Sequence, residues 1–103
     1  MNFDELKKLC RLSRIKWSKY ALERMQERNI SRDDVKNCIM HGEIIENYPD
    51  DFPYPSCLIY GYTINVRSVI HVVVSCNSEN IGIITAYFPD FYEFENDLKT
   101  RKR

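Results

Sequence analysis

Apolar positions recur every three or four residues through the first 42 positions of the chain, and every second residue thereafter. Phe3, Leu6, Leu9 and Cys10 form one stripe of a first helix. Asn2 stands ahead of it as a cap, with Glu5 placed for a capping box. The pattern fades near Leu12-Ser13, and Arg14-Ile15-Lys16-Trp17 reads as a short extended link. Ser18 caps a second helix running from Lys19 to Arg28, with Ala21, Leu22 and Met25 inward, and Asn29 suits a left-handed stop. Ser31-Arg32-Asp33-Asp34 is a further capping signature, with two carboxylates where the helix dipole favours them. The third helix turns Val35, Cys38 and Ile39 inward and ends at Gly42.

From Ile44 the period is two. Strands are expected over Ile44–Tyr48, Cys57–Ile64, Ser68–Cys76 and Ile81–Phe88. Three prolines and two aspartates make Pro49–Pro55 a loop. Asn65-Val66 is the expected hairpin turn between the second and third strands, without the usual glycine. From Phe91 the tail is expected to form a short helix before a basic end. Helical segments followed by a meander of strands predict an α+β fold: N-terminal helices packed on one face of a four-stranded antiparallel sheet. The 103 residues fit one domain, with a helical part (1–42), an antiparallel sheet (43–88) and a tail (89–103).

The third strand holds the feature that departs most from its surroundings. His71 stands within Val69-Ile70-His71-Val72-Val73-Val74, where an ionisable ring needs a partner or a wet face. Alternation sends Ile70, Val72 and Val74 to the helices and His71, Val73 and Ser75 to the opposite, more open face. In the fourth strand the same alternation assigns Ile84 and Ala86 to the core, and Ile83, Thr85 and Tyr87 to the face of His71. His71 and Tyr87 then share one side of the sheet if these strands pair as a hairpin.

In the second helix Tyr20, Arg24 and Arg28 recur every four residues and stack along one stripe. One reading is a solvated stripe with Glu23 and Glu27 paired to the arginines. Another is a cationic edge for an anionic substrate. Charge supports a local positive face, because residues 1–31 carry eight Lys/Arg against four Asp/Glu while residues 32–60 carry two against six. The formal net charge of zero counts against a dedicated nucleic-acid binder. His41, at the end of the third helix, fits a capping role. No Gly-rich phosphate loop or serine-nucleophile motif is present.

Cys10, Cys38, Cys57 and Cys76 are too far apart for zinc or redox spacing. With no secretory signal and no apolar run of membrane length, free thiols in a cytoplasmic protein are the expectation, without metal, cofactor or membrane attachment.

Four ordered blocks carry a resemblance. They are Trp17-Ser18-Lys19-Tyr20-Ala21-Leu22-Glu23-Arg24-Met25-Gln26-Glu27-Arg28-Asn29-Ile30-Ser31, Gly42-Glu43-Ile44-Ile45-Glu46-Asn47-Tyr48-Pro49, Ile70-His71-Val72-Val73 and Ile84-Thr85-Ala86-Tyr87-Phe88-Pro89-Asp90. Together they resemble the domain of unknown function 4258 family, grouped with the RelE/ParE-like toxins. The resemblance implies a RelE-like fold and the toxin half of a bacterial toxin–antitoxin pair, acting as a metal-independent endoribonuclease on mRNA. It implies RNA as partner, with the ribosome as one setting, and a cognate antitoxin, a zinc-finger protein beside some members. By position, His71, Arg24, Arg28 and Tyr87 match the family's catalytic candidates, and Tyr20 and Thr85 are the substrate-binding candidates. The departure is Tyr20, where the family commonly carries histidine in a Ser-x-His-Ala-Leu block. Tyrosine, with a reference pKa of about 10, is a poor base at neutral pH. That leaves open an alternative in which the chain is a catalytically degenerate RelE-like module that binds a partner protein or RNA.

Overall fold

The computed structural model describes residues 2–65 and 67–103. Three helices, α1 (Phe3–Arg11), α2 (Lys19–Glu27) and α3 (Arg32–His41), pack on one face of a five-stranded sheet. The strands are β1 (Ile15–Trp17), β2 (Glu43–Tyr48), β3 (Ser56–Tyr62), β4 (Val69–Cys76) and β5 (Ile81–Tyr87), in spatial order β1-β5-β4-β3-β2. β2 to β5 form an antiparallel meander, and β1 runs parallel to β5. The sheet is therefore mixed and five-stranded rather than antiparallel and four-stranded. The segment read as a link, 14–17, is the extra strand. Three residues are too few for a period to register, and the strand exists because the free edge of β5 offers it hydrogen bonds.

The helices begin and end where their caps lie. The Asn2 side chain accepts from the backbone N–H groups of Asp4 and Glu5, and Ser18 Oγ from that of Ala21. Ser31 and Asp34 form a complete capping box. Asn29 takes φ 58°, and Ile30 N–H reaches back to the Met25 carbonyl at 2.9 Å, a Schellman closure. Gly42 ends α3 for another reason: a Cβ there would lie 2.3 Å from the Tyr60 carbonyl oxygen, so only glycine allows α3 to meet β3 this closely.

The core lies between the helices and the sheet face bearing Ile59, Ile70, Val72, Val74, Ile81 and Ile83. The assignment of Ile83 and Ile84 is reversed from the simple alternation. A β-bulge inserts an extra residue in β5, between the pairs Val73–Thr85 and Val74–Ile83. Ile83 is therefore core, and Ile84 is 41% exposed. The hairpin between β3 and β4 is closed by Thr63 N–H to the Ser68 carbonyl at 2.9 Å. The expected turn at Asn65-Val66 lies partly outside the described residues, at Val66.

The tail is not a helix. From Asp90 it forms a turn, pairs Phe94 with Arg101 in an isolated bridge, and turns again between them. Asp90 and Asp97 each fold the chain by accepting two backbone N–H groups with one carboxylate oxygen. Phe94, 1% exposed, anchors this strap on the sheet face away from the helices. No described helix is long and apolar enough to cross a membrane.

Candidate functional site

Register brings three rings into one row across the sheet. Tyr60 of β3 pairs with His71 of β4, and His71 pairs with Tyr87 of β5. All three lie on the face away from the helices. The strap makes that face less open than alternation suggests, because Phe94 stands edge-on to the imidazole with ring centres 4.6 Å apart. His71 is 0% exposed.

Each nitrogen of His71 has a partner. Nε2 lies 2.7 Å from the Leu98 carbonyl oxygen, and Nδ1 lies 3.3 Å from the Tyr87 hydroxyl. A carbonyl only accepts, so Nε2 carries the proton. Burial drives the histidine pKa below its ordinary value, against the opposite pull of the Leu98 carbonyl and the Glu46 carboxylate. At neutral pH the ring is neutral, Nδ1 is a free acceptor, and the Tyr87 phenol donates to it. Burial raises the pKa of Tyr87, so the phenol keeps its proton. The arrangement runs from carbonyl to imidazole to phenol, with the buried ring between the half-buried Leu98 and Tyr87.

Two ion pairs tie the strap to the edge strand β2. Arg101 meets Glu46 through Nε at 3.2 Å and Nη2 at 3.1 Å, and lies over the Phe94 ring at 4.7 Å. Lys99 meets Glu43 at 3.0 Å while covering Tyr60 at 4.7 Å. Glu46 feels opposing effects: partial burial pushes its pKa up, but the hydrogen bonds from Arg101 and Tyr48 outweigh this and hold it below the usual value.

The helical stripe meets β5 at the opposite edge. β1 pairs only as far as Ile83, which leaves the next turn of β5 without a strand beside it. Arg28, just past α2, reaches that gap: Nη1 donates to the Ala86 carbonyl at 2.9 Å and to Thr85 Oγ1 at 3.3 Å. Among the described residues no carboxylate forms an ion pair with Arg28, so neutral oxygens hold a full positive charge in place. Arg24 is different. Its Nη2 pairs with Glu27 at 2.6 Å, its guanidinium lies 5.2 Å from the Tyr20 ring centre, and its buried Nε has no hydrogen-bond partner. Tyr20 is 58% exposed. Glu23 faces Lys19 rather than an arginine.

Two clefts meet at Arg28. One, of about 470 Å³, lies toward α3 and the β3–β4 hairpin and includes Asn29, Ser31 and Ser68. The other, of about 410 Å³, lies toward the strap and includes Tyr87, Asp90 and Glu93. Arg28 and Phe88 are the two residues that line both.

Of the residues singled out from sequence, Arg28 and Tyr87 line one cleft together, and Thr85 lies behind it as a partner of Arg28. Thr85 serves to hold Arg28. His71 stands one layer inward behind Tyr87. Arg24 and Tyr20 lie farther along α2 and contact each other. Sequence reasoning missed Leu98 and the place of Phe88 at the clefts; it favoured packing for the tail aromatics Phe91, Tyr92 and Phe94, of which Phe94 is buried while Phe91 and Tyr92 are exposed. A backbone carbonyl leaves no trace in a sequence, but Phe88 is visible as a large apolar residue directly before Pro89-Asp90. Among the described residues no group of three His, Cys, Asp or Glu side chains could hold a metal ion.

No curated protein and no solved structure matches the chain. The family described as Domain of unknown function (DUF4258) matches residues 17–88, a span containing α2, α3, β2 to β5 and every site residue predicted from the sequence. The chain belongs to the DUF4258 family.

Proposed function

We propose that the chain cleaves RNA without a metal ion, as the toxin member of a bacterial toxin–antitoxin pair acting on mRNA in the cytoplasm. The observation that carries the reading is that Tyr87, whose hydroxyl meets His71 Nδ1, lines one cleft together with Arg28. Arg28 receives the scissile phosphate, because its charge is fixed by neutral acceptors and is not neutralised by a carboxylate. Tyr87 takes the proton of the attacking 2′-hydroxyl as it passes its own to His71 Nδ1, in one concerted step. The 2′-O–P bond forms and the P–5′-O bond breaks. The leaving 5′-oxygen is protonated by water, giving a 2′,3′-cyclic phosphate and a 5′-hydroxyl. His71 then returns its proton to solvent through Tyr87. General-base assistance of this kind contributes about 10²- to 10⁴-fold. Arg24, already paired with Glu27, acts as a second and weaker source of positive potential. A cognate antitoxin would inhibit by covering this edge.

A second reading has its own support. His71 has no exposed surface, and Tyr20 stands where the family commonly has histidine. On that reading the edge binds RNA or a partner protein without turnover. Incubating purified chain with a mixed RNA pool and sequencing the fragment ends separates the two. New 2′,3′-cyclic phosphate ends made by the wild type and lost in Arg28→Ala support cleavage. Intact RNA that co-elutes with the protein supports the binding module.

A further inference from the structure

Phe88 stands at the clefts and outside the core cluster. It follows β5 directly, is 43% exposed, and shares with Arg28 the boundary between the two clefts. We infer that Phe88 is a stacking wedge that divides a single-stranded RNA held at Arg28 between two base subsites, one in each cleft. This rests on the proposed reading insofar as it takes a polynucleotide as the ligand.

The argument begins with covalent connectivity. Every internucleotide phosphate joins two nucleosides, so a site with one cation at a waist and a cleft on either side matches one phosphate with its two neighbours. The clefts, about 470 and 410 Å³, fall within the range of small-ligand pockets. Arg28 supplies the positive charge at the waist. The carboxylates that share the clefts, Asp34 in the first and Asp90 and Glu93 in the second, form no ion pair with it. Asp34 is committed to the N–H groups of Ser31 and Ile64, and Asp90 to those of Tyr92 and Glu93. Glu93 lies 3.6 Å from Arg101. These carboxylates repel a phosphate and accept from base amino groups, which confines the phosphate to Arg28. An exposed aromatic face beside a fixed cation is the pairing by which single strands are held, and it tolerates any base. A base locked in a duplex cannot reach Phe88, so the site selects unpaired RNA.

The test uses the full chain and a fluorescein-labelled 2′-O-methyl heptanucleotide, which lacks the attacking hydroxyl and cannot be cleaved. The same sequence held in a hairpin stem is the comparison, and anisotropy reads the affinity. The single strand should bind at least ten-fold more tightly than the hairpin. Phe88→Ala and Phe88→Leu should each weaken it about ten-fold, and Phe88→Trp should retain it. Leucine keeps the bulk without the ring face and, with a circular dichroism check, separates stacking from misfolding. No binding by the wild type, equal affinity for the hairpin, or wild-type affinity in Phe88→Leu would overturn the wedge. A parallel assay on unmodified RNA keeps the two proposals apart. Cleavage without any Phe88 effect removes the wedge alone, and Phe88-dependent binding without cleavage removes the cleavage reading alone.

Discussion

The Leu98 backbone carbonyl accepts a hydrogen bond from His71 Nε2 at 2.7 Å, across 27 positions of sequence. This one contact fixes the tautomer of the only histidine among the described strand residues and leaves its other nitrogen to Tyr87. Leu98 holds its carbonyl there at φ 57°, a backbone conformation uncommon for a residue with a side chain. The strap that supplies it begins beyond residue 88, the last position of the family match, so this chain completes its central row with a segment outside the shared part.

Phe94 is the anchor of that arrangement. Phe94→Ala should cost about 3–5 kcal/mol, the usual range for emptying a buried aromatic site. It should also open His71 to water and let its pKa rise toward the ordinary value. Urea denaturation and an NMR titration of the imidazole check both. Arg101→Ala, which breaks a partly exposed pair, should cost only about 1 kcal/mol.

Burial of His71 couples folding to pH. Its folded pKa is lowered from 6.5, so between that lower value and 6.5 the unfolded chain binds the extra proton. Its contribution is fully present above about pH 6.5 and is lost as pH falls through the folded value. Glu46, also lowered, has its window farther down, beginning at its unfolded pKa of about 4.5. Denaturation midpoints should therefore fall in two stages on acidification, and His71→Gln should remove the upper stage. Gln keeps an N–H for Leu98 and does not titrate.

Arg28 matters to the proposed chemistry more than to stability. Arg28→Lys keeps a charge but loses the planar guanidinium, whose Nη1 holds Thr85 and Ala86 while its other nitrogens remain for a ligand. Arg28→Ala should reduce RNA cleavage about 10²- to 10³-fold, as loss of a preorganised donor does. It should change the melting temperature little, since the Ala86 carbonyl can turn to water. Single-turnover rates and thermal melts separate these effects, with the lysine variant intermediate in rate.

Much of this was legible in the sequence, for identifiable reasons. Ser18, Ser31-Asp34 and Asn29 mark helix ends by local chemistry, so α2 and α3 are readable. Val72 and Ile70 betray the core face of β4 by alternation, and His71 stands out because it interrupts that apolar run. Ile84 misleads because a bulge is a property of paired strands. Ile15–Trp17 misleads because a three-residue edge strand is created by its neighbour. The strap was least legible. Its anchor, Phe94, is visible as one of three tail aromatics that favour packing, but its key contact comes from the backbone of Leu98.

Tyr20 offers a gain-of-function test. It is exposed and contacts Arg24, so Tyr20→His should leave the fold intact. If this position supplies an acid or base, histidine, which titrates near neutral pH, should raise cleavage about ten-fold or more. An unchanged rate in purified protein would confine the chemistry to Tyr87 and His71.

The most direct measurement is the single-turnover rate of RNA cleavage in the wild type, Tyr87→Phe, His71→Gln and the double variant. A shared proton relay predicts that each single change lowers the rate about 10²- to 10⁴-fold and that the double variant is no slower than either. Wild-type rates in both single variants, or losses that multiply in the double, would contradict it.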